Sequence, residues 1–156
     1  MNVRRFQASD INQIVTLFYE TVHSVNGRDY SQEQLDAWAP VDEQALKLKA
    51  WEESMSRNMT YVAETGGVIT GFSDMTVEGH LDRLYVHKDY QGQGIASALV
   101  ERLEQEAKRW GLTEINVEAS ITARPFFEKR GYRVIESQVV ERRGVQLVNY
   151  KMLKSL

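Results

Sequence analysis

Cysteine is absent from this chain, proline occurs twice and histidine three times among 156 residues. Without sulfur there is no disulfide, no thiolate nucleophile and no cysteine-based zinc site, and a reducing compartment is permitted, with the cytoplasm as the expected location. No apolar run approaches the roughly 20 residues that cross a bilayer, and the opening MNVRRFQASD has basic residues with no apolar stretch behind them, so neither membrane nor export is expected. A positive excess is missing as well. The 19 Lys and Arg are outnumbered by 22 Asp and Glu and scattered among them, which argues against nucleic acid as a partner. What is present is an ordinary globular mixture, 42% hydrophobic and 26% charged. A chain of this length buries roughly 70% of its unfolded surface, enough for one domain over residues 1–156 without a metal or a disulfide.

The order of local signals predicts an α/β protein of mixed α+β character. VRRFQ alternates as a strand, and Ser9 is expected to cap a helix carrying Ile11, Ile14, Val15, Phe18 and Val22 at helical spacing. Ser31 and Gln34 have capping-box spacing, Pro40 ends that helix, and DEQALKLKAWEESM begins another. MTYVAET and VITGFSDMTV flank Gly66 and Gly67 as a hairpin, and HLDRLYVH supplies a further strand. A helix to about Trp110 stops at Gly111, and EINVEAS is the next strand. A short helix over ITARPFFEKR, with Pro125 in its first turn, ends at Gly131. YRVIESQVVERRG and VQLVNYKML then close the chain as a hairpin about Gly144. These elements give a mixed, mostly antiparallel, twisted sheet of about six to seven strands with helices on both faces and one βαβ unit in the second half.

Between the strand LYV and the helix ALVERLEQEAKRW stands YQGQGIAS. A helix starts with N–H groups that have no partner inside it, and its dipole adds partial positive charge there. Glycine removes the Cβ atoms that hold an anion away, so Gln91, Gly92, Gln93, Gly94 and Ala96 can present main-chain donors to a phosphate. A P-loop is excluded because Ile95 and Ala96 stand where Lys and Ser or Thr are needed. A dinucleotide fold stays open as an alternative, with Glu118 as its ribose acid. Ser97 in place of the third glycine, the polar HKDYQ before the turn and the helices and hairpin at the front count against it.

Gln91, Gly94 and Ala96 match the Gln/Arg-x-x-Gly-x-Gly/Ala signature of the GNAT superfamily of N-acetyltransferases. LDRLYVHKDYQGQGIASALVERLEQEAKRWG resembles that family's fourth strand, loop and third helix, and EASITARPFFEKRGYRV resembles its fifth strand and fourth helix. The resemblance is to small, single-domain, bacterial-type members. It implies the GNAT fold and transfer of acetyl from acetyl-CoA to an amine by direct attack in a ternary complex. It also implies coenzyme contacts from Leu84, Tyr85 and Val86 and from Gln91, Gly92, Gln93, Gly94, Ile95, Ala96 and Ser97, with Thr122 and Phe127 near the pantetheine.

Alkylamines are protonated at neutral pH, so a base is required. Asp82, then Glu118, are the candidates, with Glu78 and His80 on the same side of the expected cleft. Phe127 stands where many members have the tyrosine that protonates the departing thiolate, which turns attention to Ser120 or Thr122. A non-catalytic acyl-CoA-binding module is the other reading. Tyr30 and Trp38 are expected as an aromatic wall for the acceptor, or as core. The terminal hairpin offers an edge for a homodimer.

Overall fold

The chain is described over residues 1–156 by a computed structural model. Its elements are β1 (Asn2–Arg5), α1 (Ile11–Ser24), α2 (Gln32–Trp38), α3 (Gln44–Arg57), β2 (Met59–Thr65), β3 (Val68–Met75), β4 (His80–Val86), α4 (Ile95–Arg109), β5 (Glu114–Ser120), α5 (Arg124–Lys129), β6 (Arg133–Arg142) and β7 (Val145–Ser155). One seven-stranded sheet takes them in the order β1-β2-β3-β4-β5-β7-β6. Every neighbouring pair is antiparallel except β4 with β5. That bears out the mostly antiparallel mixed sheet and removes the dinucleotide-fold alternative, which needs repeated parallel crossovers.

Turn chemistry explains most boundaries. Gly66 and Gly67 both take positive φ, 58° and 81°, as a tight hairpin between β2 and β3 demands. The capping box is formed, with Ser31 Oγ accepting from Gln34 N and Gln34 Oε1 accepting from Ser31 N. At Gly111 (φ 79°) the N–H of Leu112 reaches back to Ala107 O, the bond that closes a helix C-terminus. The first helix starts differently from the expectation. Ser9 caps nothing; it lies inside a 3-10 turn, Ala8–Asp10, and the Asp10 carboxylate accepts from Gln7 N. Asp10 is preferred because it also takes two hydrogen bonds from the Arg4 guanidinium on β1, a charge-assisted pairing that a serine cannot make.

Apolar residues of the sheet divide between two cores. Val62, Ile69, Phe72 and Leu147 pack against Ile14, Phe18, Val22 and Leu35 of α1 and α2. On the opposite face Tyr61, Ala63, Ile115, Val117 and Met152 pack against Leu99, Leu103 and Phe127 of α4 and α5. Alternation along β2, which turns Val62 to one core and Tyr61 and Ala63 to the other, makes this two-sided burial possible.

One irregularity opens the sheet. Asp74 pairs with Arg83 and Met75 with Leu81, so Asp82 is the extra residue of a β-bulge. Bulges bend and twist the strand that carries them. β4 meets β5 only at His80 with Asn116 and Leu81 with Val117, just before the bulge. Beyond it β4 stays with β3, while β5 continues along β7 as far as Ser120 opposite Asn149. The two halves of the sheet part there.

Candidate active site

The parting leaves a cleft of about 330 Å³ on one face, running from Leu81 and Val117 out to the glycine turn. Its strand wall has free main-chain groups. His87 N donates to Thr70 O and Arg83 O accepts from Ser73 Oγ, so the odd-numbered residues aim their peptide groups at β3. By alternation, Leu84 and Val86 aim theirs into the cleft. Val86 O is engaged there by Gln91 Nε2 at 2.7 Å and by Thr21 Oγ1 at 3.1 Å. The Val86 N–H and both peptide groups of Leu84 face the opening.

Gln91 thus has a role that its place in the motif did not disclose: its side chain ties the turn back to the end of β4. Gly92 (φ 71°) and Gly94 (φ 79°) then carry the chain into α4 in the left-handed region, where side chains are strained. Nothing lies within 4 Å of where a Cβ would stand at either, so backbone torsion, not crowding, is what requires glycine. The N–H groups from Gln91 to Ser97 find no acceptor in the protein; the first helical bond is Ala98 N to Gly94 O. Ile95 is buried, whereas Ala96 and Ser97 are half-exposed beside the turn. A run of unpaired N–H groups at a helix N-terminus with partial positive charge is suited to a diphosphate.

A second cleft of about 350 Å³ lies on the side of α2 and the β6–β7 hairpin. Trp38, Asp82, Tyr85, Glu118 and Ser120 border both clefts, so the two meet where β4 and β5 separate. Asp82 and Glu118 are both exposed at this junction, Asp82 loosely paired to Arg83 at 3.7 Å and Glu118 accepting from Gln138 Nε2 at 3.0 Å. His80 borders only the second cleft and is hydrogen-bonded to Asn116 Oδ1. Glu78 is not brought to the site. It is exposed in the turn between β3 and β4 and borders neither cleft, because the strand begins only at His80.

The Tyr30 and Trp38 rings stand 5.3 Å apart at the border of the second cleft, Tyr30 itself buried in the α1–α2 core, with Tyr85 6.5 Å beyond Trp38. Tyr30 is structural as well, since its hydroxyl donates to Val148 O and accepts from Ile121 N. Burial pushes the Tyr85 phenol well above its ordinary pKa, so it is a neutral phenol at physiological pH. Thr122 borders the first cleft but donates its hydroxyl proton to Asp29 Oδ2. Ser120 is arranged the opposite way: its Oγ accepts from Ala123 N at 3.0 Å, which leaves the hydroxyl proton free. Phe127 is 1% exposed, edge-on to Phe126 and Tyr132, and offers no proton.

Three residues escaped the sequence reading. Gly71 on β3 lets α4 settle against the sheet, Asn149 stands across from Ser120, and Arg142 lies at the rim of the second cleft. Gly71 carried a faint signal as a glycine inside a strand, which marks close approach. The other two look like ordinary alternating hairpin residues.

Residues 26–154 match the acetyltransferase (GNAT) domain family. The uncharacterized N-acetyltransferase YafP of Escherichia coli (strain K12) is 33% identical over 152 residues, 97% of this chain and 94% of that protein. A GCN5-related N-acetyltransferase from Rhodopseudomonas palustris superposes with a TM-score of 0.93 at 33% identity, over 99% of this chain and 95% of the other. The PaiA N-acetyltransferase of Thermoplasma acidophilum, solved in complex with coenzyme A, has the same fold at 17% identity, with a TM-score of 0.81 over 99% of this chain and 98% of its own. With the sheet parted at β4 and β5, the glycine turn heading α4 and these relatives spanning nearly its whole length, the chain belongs to the GNAT acetyltransferase family.

Proposed function

We propose that this protein transfers an acetyl group from acetyl-CoA to the primary amine of a small molecule or peptide, by direct attack in a ternary complex. The observation that carries the reading is the continuity of free main-chain donors, from Leu84 and Val86 on β4 to the N–H run Gln91–Ser97. Those groups fit a pantetheine arm and a diphosphate in sequence, and the coenzyme A complex of the PaiA relative supports the same choice of ligand. When bound, acetyl-CoA supplies an acyl group activated as a thioester.

The chain's own residues meet the remaining demands. The Val86 N–H is a main-chain donor for the thioester carbonyl oxygen, which gains negative charge on attack. Asp82, backed by Glu118, takes the proton from the incoming ammonium, directly or through water. A thiol pKa near 8.5 makes the thiolate a tolerable leaving group, so a hydrogen bond from the Ser120 hydroxyl, with the proton itself drawn from water, is sufficient where Phe127 stands in place of a tyrosine.

Thermal shift against acetyl-CoA, NAD and ATP, followed by thiol release over a panel of amines and peptide N-termini, tests the proposal. Acetyl-CoA alone should raise Tm, by mass action, and at least one amine should release thiol. Stabilisation by NAD or ATP but not by acetyl-CoA rejects it. Stabilisation by acetyl-CoA without turnover of any amine favours the non-catalytic binder.

A further inference from the structure

Asp82 borders both clefts at the point where β4 carries its extra residue, and the pair that resumes the ladder just beyond it is a charged one, Asp74 opposite Arg83. Asp74 is fully buried, and the Arg83 side chain is 14% exposed. The guanidinium is held from several sides: Nη1 donates to Asp74 Oδ2, Nη2 donates to Ser54 Oγ on α3 at 2.8 Å, and its carbon stands 4.7 Å from the centre of the Trp51 ring. Asn58 Nδ2 donates to the same Asp74 oxygen at 2.9 Å, and the Arg83 carbonyl accepts from Ser73 Oγ at 2.7 Å. Removing two charges from water is so unfavourable that such a pair, here with Asp74 Oδ1 left unpaired, adds little net stability; its best-attested use is to fix register. Competing registers differ sharply in what they bring together. A ladder running unbroken from Met75 and Leu81 would set Asp74 opposite Asp82, two like charges, and one running unbroken from Asp74 and Arg83 would set Asp82 opposite the buried Met75.

We infer that the Asp74–Arg83 pair is a register clamp: by holding Arg83 opposite Asp74 and down against α3, it makes Asp82 the extra residue and so positions that carboxylate for the reaction. The inference rests on the acetyltransfer reading with Asp82 as the base, and it adds Asp74 and Arg83 as positioning residues. Both act through Asp82. The anchor and the group it presents are adjacent in space as well as in sequence, with the Arg83 guanidinium 3.7 Å from the Asp82 carboxylate.

The test is a double-mutant cycle on the full chain, with acetyl-CoA and the amine of the panel that has the highest kcat/KM. Asp74→Asn combined with Arg83→Met removes both charges at once, so that neither is left alone in the interior. The combined variant should lower kcat by about 10-fold or more, the scale of loss expected when a catalytic group is misplaced by an ångström. Asp82→Asn should then lower kcat by about 10²-fold in the wild type but by no more than about 10-fold in the combined variant, where the base is already displaced. Losses that simply multiply, or a combined variant with unchanged kcat, overturn the inference while leaving acetyl transfer standing. Asp82→Asn without effect in the wild type overturns the choice of base and the clamp with it. Failure of every amine to release thiol, although calorimetry shows acetyl-CoA bound, overturns the parent reading and this one together. Should the combined variant lower Tm, Arg83→Lys enters the same cycle under the same criterion, because lysine keeps a charge for Asp74 but lacks the fork that also reaches Ser54.

Discussion

A methyl group on Gly71 would meet Ile95 Cγ2 at 2.8 Å, and Leu99 Cδ1 and Tyr85 O each at 3.2 Å. Helix α4 therefore rests on β3 at the one position without a side chain, and its N-terminus is brought level with the end of β4. Gly71→Ala should push the helix outward. Overpacking of this kind costs about 1–3 kcal/mol, and because Ile95 is the first residue after the glycine turn, acetyl-CoA affinity should fall as well. Chemical denaturation and calorimetry with the coenzyme measure the two effects; a stable protein with unchanged affinity would mean that the helix has room to spare.

Gly94 tests the diphosphate binding proposed for the glycine turn from the other side. Glutamate there adds strain from a positive φ, about 1–2 kcal/mol, and a negative charge among unpaired N–H groups. Gly94→Glu should abolish measurable acetyl-CoA binding, whereas Gly94→Asn, which tolerates the left-handed region and adds no charge, should retain most of it. Equal losses in both would make the backbone conformation, and not anion recognition, the determinant.

For the base, Asp82→Asn should lower kcat by about 10²-fold or more and flatten the acid limb of the pH profile of kcat/KM. Glu118→Gln should do less, since its carboxylate already accepts from Gln138. The reverse order of effects in steady-state kinetics would exchange their roles.

Behind the bulge, Asp74 is fully buried, with Oδ2 accepting from Arg83 and Asn58 and Oδ1 unpaired. Burial lifts its carboxyl from 3.8 to about 6, outweighing the opposite pull of Arg83. Between those values the folded state holds a proton that the unfolded chain has lost, so this group's contribution to stability declines as pH rises through the interval. Asp74→Asn mimics the protonated form. Between pH 4 and pH 7 the variant should gain on the wild type by roughly 2 kcal/mol, at no more than about 1.4 kcal/mol per pH unit. Parallel denaturation curves at the two pH values decide it: a constant gap would mean that Arg83 keeps Asp74 ionised in the folded protein.

The glycine turn, the hairpins and the helix stops were legible because each depends on a local torsion that only certain residues adopt, as at Gly66, Gly67 and Gly111. Ser9 was misread for a related reason: its competitor for the helix start, Asp10, was strengthened by Arg4 on a separate strand. Glu78 and Asp82 both carry carboxyl groups and lie only four positions apart, yet one is left in a turn and the other is extruded by a bulge to the border of both clefts. Nothing in their own neighbourhoods distinguishes them.

By itself the sequence determined the order of elements, the glycine turn at the head of α4 and the family resemblance, all of which follow from periodicity, capping and glycine within short windows. Tertiary structure alone decided where the sheet parts, which carboxylates meet across the gap, and that Ser120 rather than Thr122 keeps a free proton. Those facts depend on which strands become neighbours and in what register, and register is set by long-range packing of both sheet faces rather than by any single stretch of chain.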